Sequence, residues 1–168
     1  MKQINAYKKS LMVLAFSFFV VTGAFAQFSV GFEYALPMGS PFSDGVNGGI
    51  GGSIRYDGAI NDNLAWGGYF GYQSYSLKAA NYNVTLMPIQ AGIKYYFTEM
   101  NAGFYGGLDL GIFIGGSNFP GAVSESKFGF TPAIGYRLSS FDIGVRYNLV
   151  TDANNLAFRL AYVFGGGK

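Results

Sequence analysis

The chain contains no cysteine and no histidine among its 168 residues, and only 12% of it is charged. Without cysteine, no disulfide can hold the fold together, and no lipidated cysteine can follow a leader. Without histidine the commonest general base is gone, and with it the Ser/His arrangements of hydrolytic sites. With neither residue, zinc and redox metals lose their usual ligands. The glycine clusters Gly48-Gly49-Ile50-Gly51-Gly52 and Gly106-Gly107 lack a following Lys-Ser/Thr and open no helix. They read as tight strand packing, not as phosphate loops. Asn83-Val84-Thr85 fits a glycosylation sequon, a pattern that arises often by chance. The expectation is a protein that is not an enzyme and carries no cofactor and no metal.

Long apolar runs are also scarce. One, Leu11 to Val21, follows the basic residues Lys2, Lys8 and Lys9 and precedes Ala24-Phe25-Ala26. It falls short of the ~20 residues a spanning helix needs. Basic start, apolar middle and small residues at the end match a signal peptide over residues 1–26, cleaved before Gln27. The mature chain, residues 27–168, is sized for one domain. Losing three lysines leaves eight basic residues against nine acidic ones, which is not a nucleic-acid-binding balance.

What the sequence has is alternation, together with 26 glycines and 18% aromatics. In Leu156-Ala157-Phe158-Arg159-Leu160-Ala161-Tyr162-Val163-Phe164 the even positions are large and apolar, and the odd ones are mostly small or charged. A period of two means a strand with two chemically different faces. The pattern recurs over Phe28–Leu36, Gly49–Asp57, Leu64–Ser76, Val84–Phe97, Phe104–Ile114, Phe128–Leu138, Phe141–Leu149 and Leu156–Phe164. Most of these are near the ~9–11 residues of a tilted spanning strand. The longest connections, Pro37–Gly48 and Gly115–Lys127, fall at one end. Short turns at Gly58–Asn63, Thr98–Gly103 and Ser139–Ser140 fall at the other, as extracellular and periplasmic ends should. The fold class this predicts is all-β: an eight-stranded antiparallel up-and-down transmembrane β-barrel.

Sorting the faces sharpens the reading. Inward fall Glu33, Arg55, Asp57, Lys94, Asp109, Arg137, Asp142, Arg146 and Arg159, over half of the seventeen charges in the mature chain. Outward fall large apolar residues from Phe28 to Phe164, and no charge faces lipid mid-membrane. Lys or Arg there would cost roughly 2–4 kcal/mol. Phe28, Phe97, Phe104, Phe141 and Phe164 suit a periplasmic aromatic girdle. Inward glycines leave room in a narrow lumen, while Pro88 and Pro132 each delete a ladder donor and predict a bulge or strand end.

An eight-stranded barrel has a lumen just wide enough for side chains to fill. Five basic and four acidic groups there would pair, so the nine inward charges read as a lumen charge network and a polar plug. An ion or solute path is the alternative, obstructed by Tyr69, Tyr105 and Phe113. Glu33, Asp109 and Asp142 have basic neighbours, which argues against acid–base work. Met38, Phe42, Phe119, Pro120 and Val123 dot the two long loops, as solvated caps or as a contact surface. A soluble lipocalin-like carrier would need the opposite faces, an apolar lumen and a polar exterior. Expected partners are outer-membrane lipid, lipopolysaccharide and the assembly machinery of a Gram-negative outer membrane. No nucleic acid is expected, and closure suits a monomer.

Three segments carry a family resemblance: Met87-Pro88-Ile89-Gln90-Ala91-Gly92-Ile93-Lys94-Tyr95-Tyr96-Phe97, Phe128-Gly129-Phe130-Thr131-Pro132-Ala133-Ile134-Gly135-Tyr136, and Phe141-Asp142-Ile143-Gly144-Val145-Arg146-Tyr147. With these the chain resembles small outer-membrane β-barrel proteins, in particular the outer membrane protein beta-barrel domain, porin-like, of Bacteroidota. The resemblance implies a structural, adhesive or minor transport role. Such barrels usually finish on an aromatic. Here Gly165-Gly166-Gly167-Lys168 trail behind Phe164.

Overall fold

Alternation of this kind leaves each strand with one face that must be hidden from what the other face meets, and closing the sheet on itself achieves that. The computed structural model describes residues 26–165 apart from 80, 100, 101, 119, 120 and 122. Residues 1–25, where the sequence predicts a leader, lie outside the described residues, as do Phe119, Pro120 and the tail from Gly166. The strands are β1 (Ala26–Pro37), β2 (Val46–Ala59), β3 (Leu64–Leu77), β4 (Asn83–Tyr96), β5 (Ala102–Ser117), β6 (Glu125–Leu138), β7 (Phe141–Val150) and β8 (Asn155–Phe164). A short helix, α1 (Phe42–Gly45), sits between β1 and β2. Each strand pairs antiparallel with its neighbours in chain order, and β8 returns to β1 to close the barrel. The seam runs from Phe28 opposite Phe164 to Pro37 opposite Asn155. Closure leaves no edge strand to template aggregation.

The faces follow the alternation. In β8, Ala157, Arg159, Ala161 and Val163 are buried, while Phe158, Leu160, Tyr162 and Phe164 are exposed. One end carries β1's start, β8's finish and the tight turn at Ser139–Ser140; we call it the turn end. The other, the loop end, carries α1 and the connections 78–82, 118–124 and 151–154.

Three strands run three residues further toward the loop end than the alternation suggests. β2 starts at Val46, β5 continues to Ser117 and β6 starts at Glu125. Pairs such as Thr85 with Gly116 and Gly115 with Glu125 carry the ladder onward. Backbone pairing needs no side chain, so glycine-rich stretches join it without showing a period of two. The second long connection therefore shrinks, and α1 occupies the first.

The prolines correct the expectation of a bulge or strand end. Both lie inside strands with unshifted register, yet each leaves an in-register gap on one side. The β3–β4 ladder passes from Phe70–Ile89 to Gln73–Leu86, skipping the pairs at Pro88. The β6–β7 ladder passes from Phe130–Leu149 to Ala133–Arg146, skipping those at Pro132. The missing N–H interrupts the ladder without inserting a residue. The register shift that is present lies in β2, between Val46 and Gly49.

Close strand approach explains part of the glycine content. A Cβ on Gly111 would run into the Ile89 carbonyl oxygen, whereas one on Gly106 would meet open space. Gly111→Ala should therefore lower barrel stability by about 1–3 kcal/mol through overpacking. Gly106→Ala should leave it unchanged, as urea unfolding of the detergent-folded protein would show.

Candidate functional site

Inward-facing positions on eight tilted strands converge on one lumen, and there the nine charges named above are all buried. Eight of them form one alternating sequence of ion pairs. Arg146 Nη1 lies 2.9 Å from Asp109 Oδ2, and Arg55 Nη1 approaches the same carboxylate at 2.8 Å. Arg55 Nε then reaches Asp57 at 2.6 Å, and Lys94 Nζ bridges Asp57 and Asp142 at 3.2 Å each. Arg159 continues from Asp142 at 3.5 Å to Glu33 at 3.8 Å. Tyr69 closes the circuit: its hydroxyl donates to Glu33, and its ring lies 3.7 Å beneath the Arg146 guanidinium. Cation and anion alternate at every step, each carboxylate satisfied by two or more donors. Buried charges persist only under such pairing.

Arg137 stands apart. It is buried opposite Asp142 in the β6–β7 ladder, but makes no ion pair among the described residues, and its Nε has no hydrogen-bond partner. The structure thus brings together eight of the nine residues and leaves the fifth cation at the turn end.

Neutral polar groups extend the network, and a reading confined to charges missed them. Gln73 Nε2 donates to Glu33 at 2.8 Å, and Gln73 Oε1 accepts at 2.8 Å from the Tyr75 hydroxyl. Gln90 accepts from Arg146 and donates to Thr131, which donates to Asn148, which donates to Asn155, at 2.7–2.8 Å each. Their signal was available: each falls on the inward parity of its strand.

Toward the loop end apolar side chains gather beside the polar ladder that ends at Asn155. Ala35, Val46, Tyr75, Leu86, Phe113, Val150 and Ala157 form a buried cluster. Phe42 of α1 packs edge-on against Tyr75, with ring centroids 5.0 Å apart. Phe42 therefore seats inward instead of presenting itself to a surface, whereas Met38 and Val123 are exposed. Val46 escaped the sequence reading for a physical reason. By strict alternation it points outward, and the register shift before Gly49 turns it in. A cavity of about 160 Å³ lies between this tier and the rim residues Glu125, Lys127 and Asp152. At the turn end Ala65, Tyr96 and Tyr105 form a second small apolar cluster.

Outside, aromatic rings gather at the turn end. Phe28 neighbours Phe164, Phe164 neighbours Tyr162, Tyr162 neighbours Phe141, and Phe104 neighbours Tyr136, with centroids 4.8–6.4 Å apart. Such rings suit an interface between apolar and wet surroundings.

A closed eight-stranded antiparallel barrel with charge inside and apolar residues outside has the fold of the small outer-membrane barrels. Among solved structures, the chain is similar to Ail, the attachment invasion locus protein of Yersinia pestis. The TM-score is 0.57 at 16% identity, over 83% of this chain and 97% of that one. Neisserial surface protein A gives 0.59 at 19% identity, over 82% and 95%. The N-terminal β-barrel domain of Pseudomonas aeruginosa OprF gives 0.53 at 11% identity, over 82% and 97%. No protein-family model and no curated protein matches the chain.

The circuit makes a differential prediction. Asp109→Asn removes the carboxylate between Arg55 and Arg146 and should cost about 3–5 kcal/mol of stability. Arg137→Gln removes a cation with no ion pair and should cost far less, or nothing. Equilibrium unfolding of both variants beside the unmutated barrel decides it.

Proposed function

We propose that the chain is an integral outer-membrane barrel of a Gram-negative bacterium, exported by a leader cleaved before Gln27, with a plugged lumen and a structural or surface-interaction role. The observation that carries the reading is the inverted partition of side chains. Arg55 and Asp109 are 2% exposed, while Phe32 is 58%, Ile134 68% and Leu160 52% exposed. In water this arrangement is doubly unfavourable. In a bilayer it is what a barrel requires. It also opposes a lipocalin-like carrier, whose apolar face would point inward. No helix among the described residues is long and apolar enough to cross a membrane.

Two features support a plug over a conducting path. The alternating charges span the lumen from β1 to β8, and the apolar tier around Phe113 sits above them. An apolar constriction excludes water, and with it hydrated ions. Orientation follows from the turns: the turn end, with its aromatic girdle, faces the periplasm, and the loop end faces outward. Outer-membrane lipid and lipopolysaccharide surround the belt, the assembly machinery inserts it, and the closed sheet serves as a monomer.

The loop end is the face available to other molecules. Ail is known in complex with sucrose octasulfate, a heparin analogue. The rim here is less suited to a polyanion, because Lys127 is held by Asp152 at 3.1 Å and Glu125 at 3.6 Å. Lys78 is turned onto the Ser43 carbonyl. A structural role, or contact through exposed loop residues such as Val123, fits this rim better.

In planar bilayers the folded protein should produce no conductance steps, and Phe113→Ser combined with Leu86→Ser, which wets the apolar tier, should raise the leak. Steady unitary currents from the unmutated protein would refute the plug. On the outer surface, Leu110→Arg should destabilise the bilayer-inserted barrel by about 2–4 kcal/mol.

A further inference from the structure

The centre of the charge circuit is not completely filled. A void of about 10 Å³ is lined by Arg55, Lys94, Tyr105, Gly107, Asp109, Ala133, Gly144, Arg146 and Arg159. That is room for one small species, since a single water needs roughly 10–15 Å³ by this measure. We propose that this void is a binding site for one monoatomic anion of the halide class, chloride under ordinary conditions.

Four observations converge on an anion. The charged lining holds four cations and one carboxylate, and the other three lumen carboxylates do not line the void. Two guanidinium nitrogens of lining residues, Arg55 Nη2 and Arg146 Nε, are buried without any hydrogen-bond partner. Both residues are more than nine-tenths buried, so bulk solvent does not reach them freely. An orphaned charged donor in such a place is costly, and what it lacks is an acceptor. Finally, all four lumen carboxylates are already engaged by cations of the circuit, which leaves none of them to serve as that acceptor.

The small residues at the site have a matching role. Gly107, Ala133 and Gly144 face the void from β5, β6 and β7 and leave the volume that larger inward side chains would occupy. A Cβ on Gly107 would sit 3.2 Å from the Ile93 carbonyl oxygen and 3.4 Å from Lys94 Cγ, tight but within reach of a small adjustment. An oxyanion such as sulfate is too large for the space. Among common anions a halide comes nearest to that size, accepts several N–H donors at once and needs no fixed geometry.

Bromide reports the site directly. Crystals of the full folded barrel, grown in detergent with sodium bromide as the sole halide, should give one anomalous peak at the bromine edge between Arg55, Arg146 and Arg159. Gly107→Ala, which narrows the void, should lose at least three-quarters of that peak. In parallel, the thermal midpoint of the unmutated protein should rise with sodium chloride or bromide relative to sodium gluconate at equal ionic strength. Featureless anomalous density at the void, or an ordered water with no bromide signal, would overturn the proposal. So would equal midpoints in halide and gluconate. Because the unmutated protein supplies the primary readout, poor folding of the variant leaves the test intact.

Discussion

A closed circuit of alternating charges is the interaction on which the barrel's interior depends. Arg146, Asp109, Arg55, Asp57, Lys94, Asp142, Arg159 and Glu33 alternate in sign through contacts of 2.6–3.8 Å. Tyr69 joins the two ends. They come from β1, β2, β4, β5, β7 and β8, so the circuit ties together strands that the backbone ladder connects only in sequence. In an eight-stranded barrel the lumen is too narrow to hydrate each charge separately. Every carboxylate must therefore serve more than one donor, and removing a member strands two neighbours.

The two apolar tiers follow from that constraint. Interactions among buried charges strengthen when water is excluded, because the local dielectric falls. The loop-end cluster around Phe113 and Val150 and the turn-end pair of Tyr96 and Tyr105 bound the polar middle on both sides. Outside, the same closure places a continuous apolar belt on all eight strands, which a bilayer accepts and water does not. Inner charge, inner caps and outer belt are thus parts of one arrangement, produced by a single period of two along the chain.

Much of this was legible beforehand because the period is local. Whether Arg159 or Leu160 faces inward is decided by parity, and every charge assigned to the lumen is found buried there. Which charge meets which was not legible. Arg146 and Asp109 are 37 positions apart, and Arg55 and Asp109 are 54 apart. Their meeting depends on the stagger of the closed sheet, which no single strand encodes. Val46 shows the other limit: read as part of the Pro37–Gly48 connection, it belongs to β2, where an unseen register shift turns it into part of a cap. The glycine-rich strand ends near Gly115 and Gly116 carry no side-chain period, so their pairing left no mark in the residues.

Cell fractionation with heat-modifiable gel migration tests the central claim, that this inverted barrel folds in the outer membrane, most directly. The full chain, expressed in a Gram-negative host, should remain with the Sarkosyl-insoluble envelope. Its unboiled form should run at a different apparent mass from the boiled form, as a folded, detergent-resistant barrel does. Recovery as a soluble periplasmic protein with identical migration before and after boiling would contradict the account.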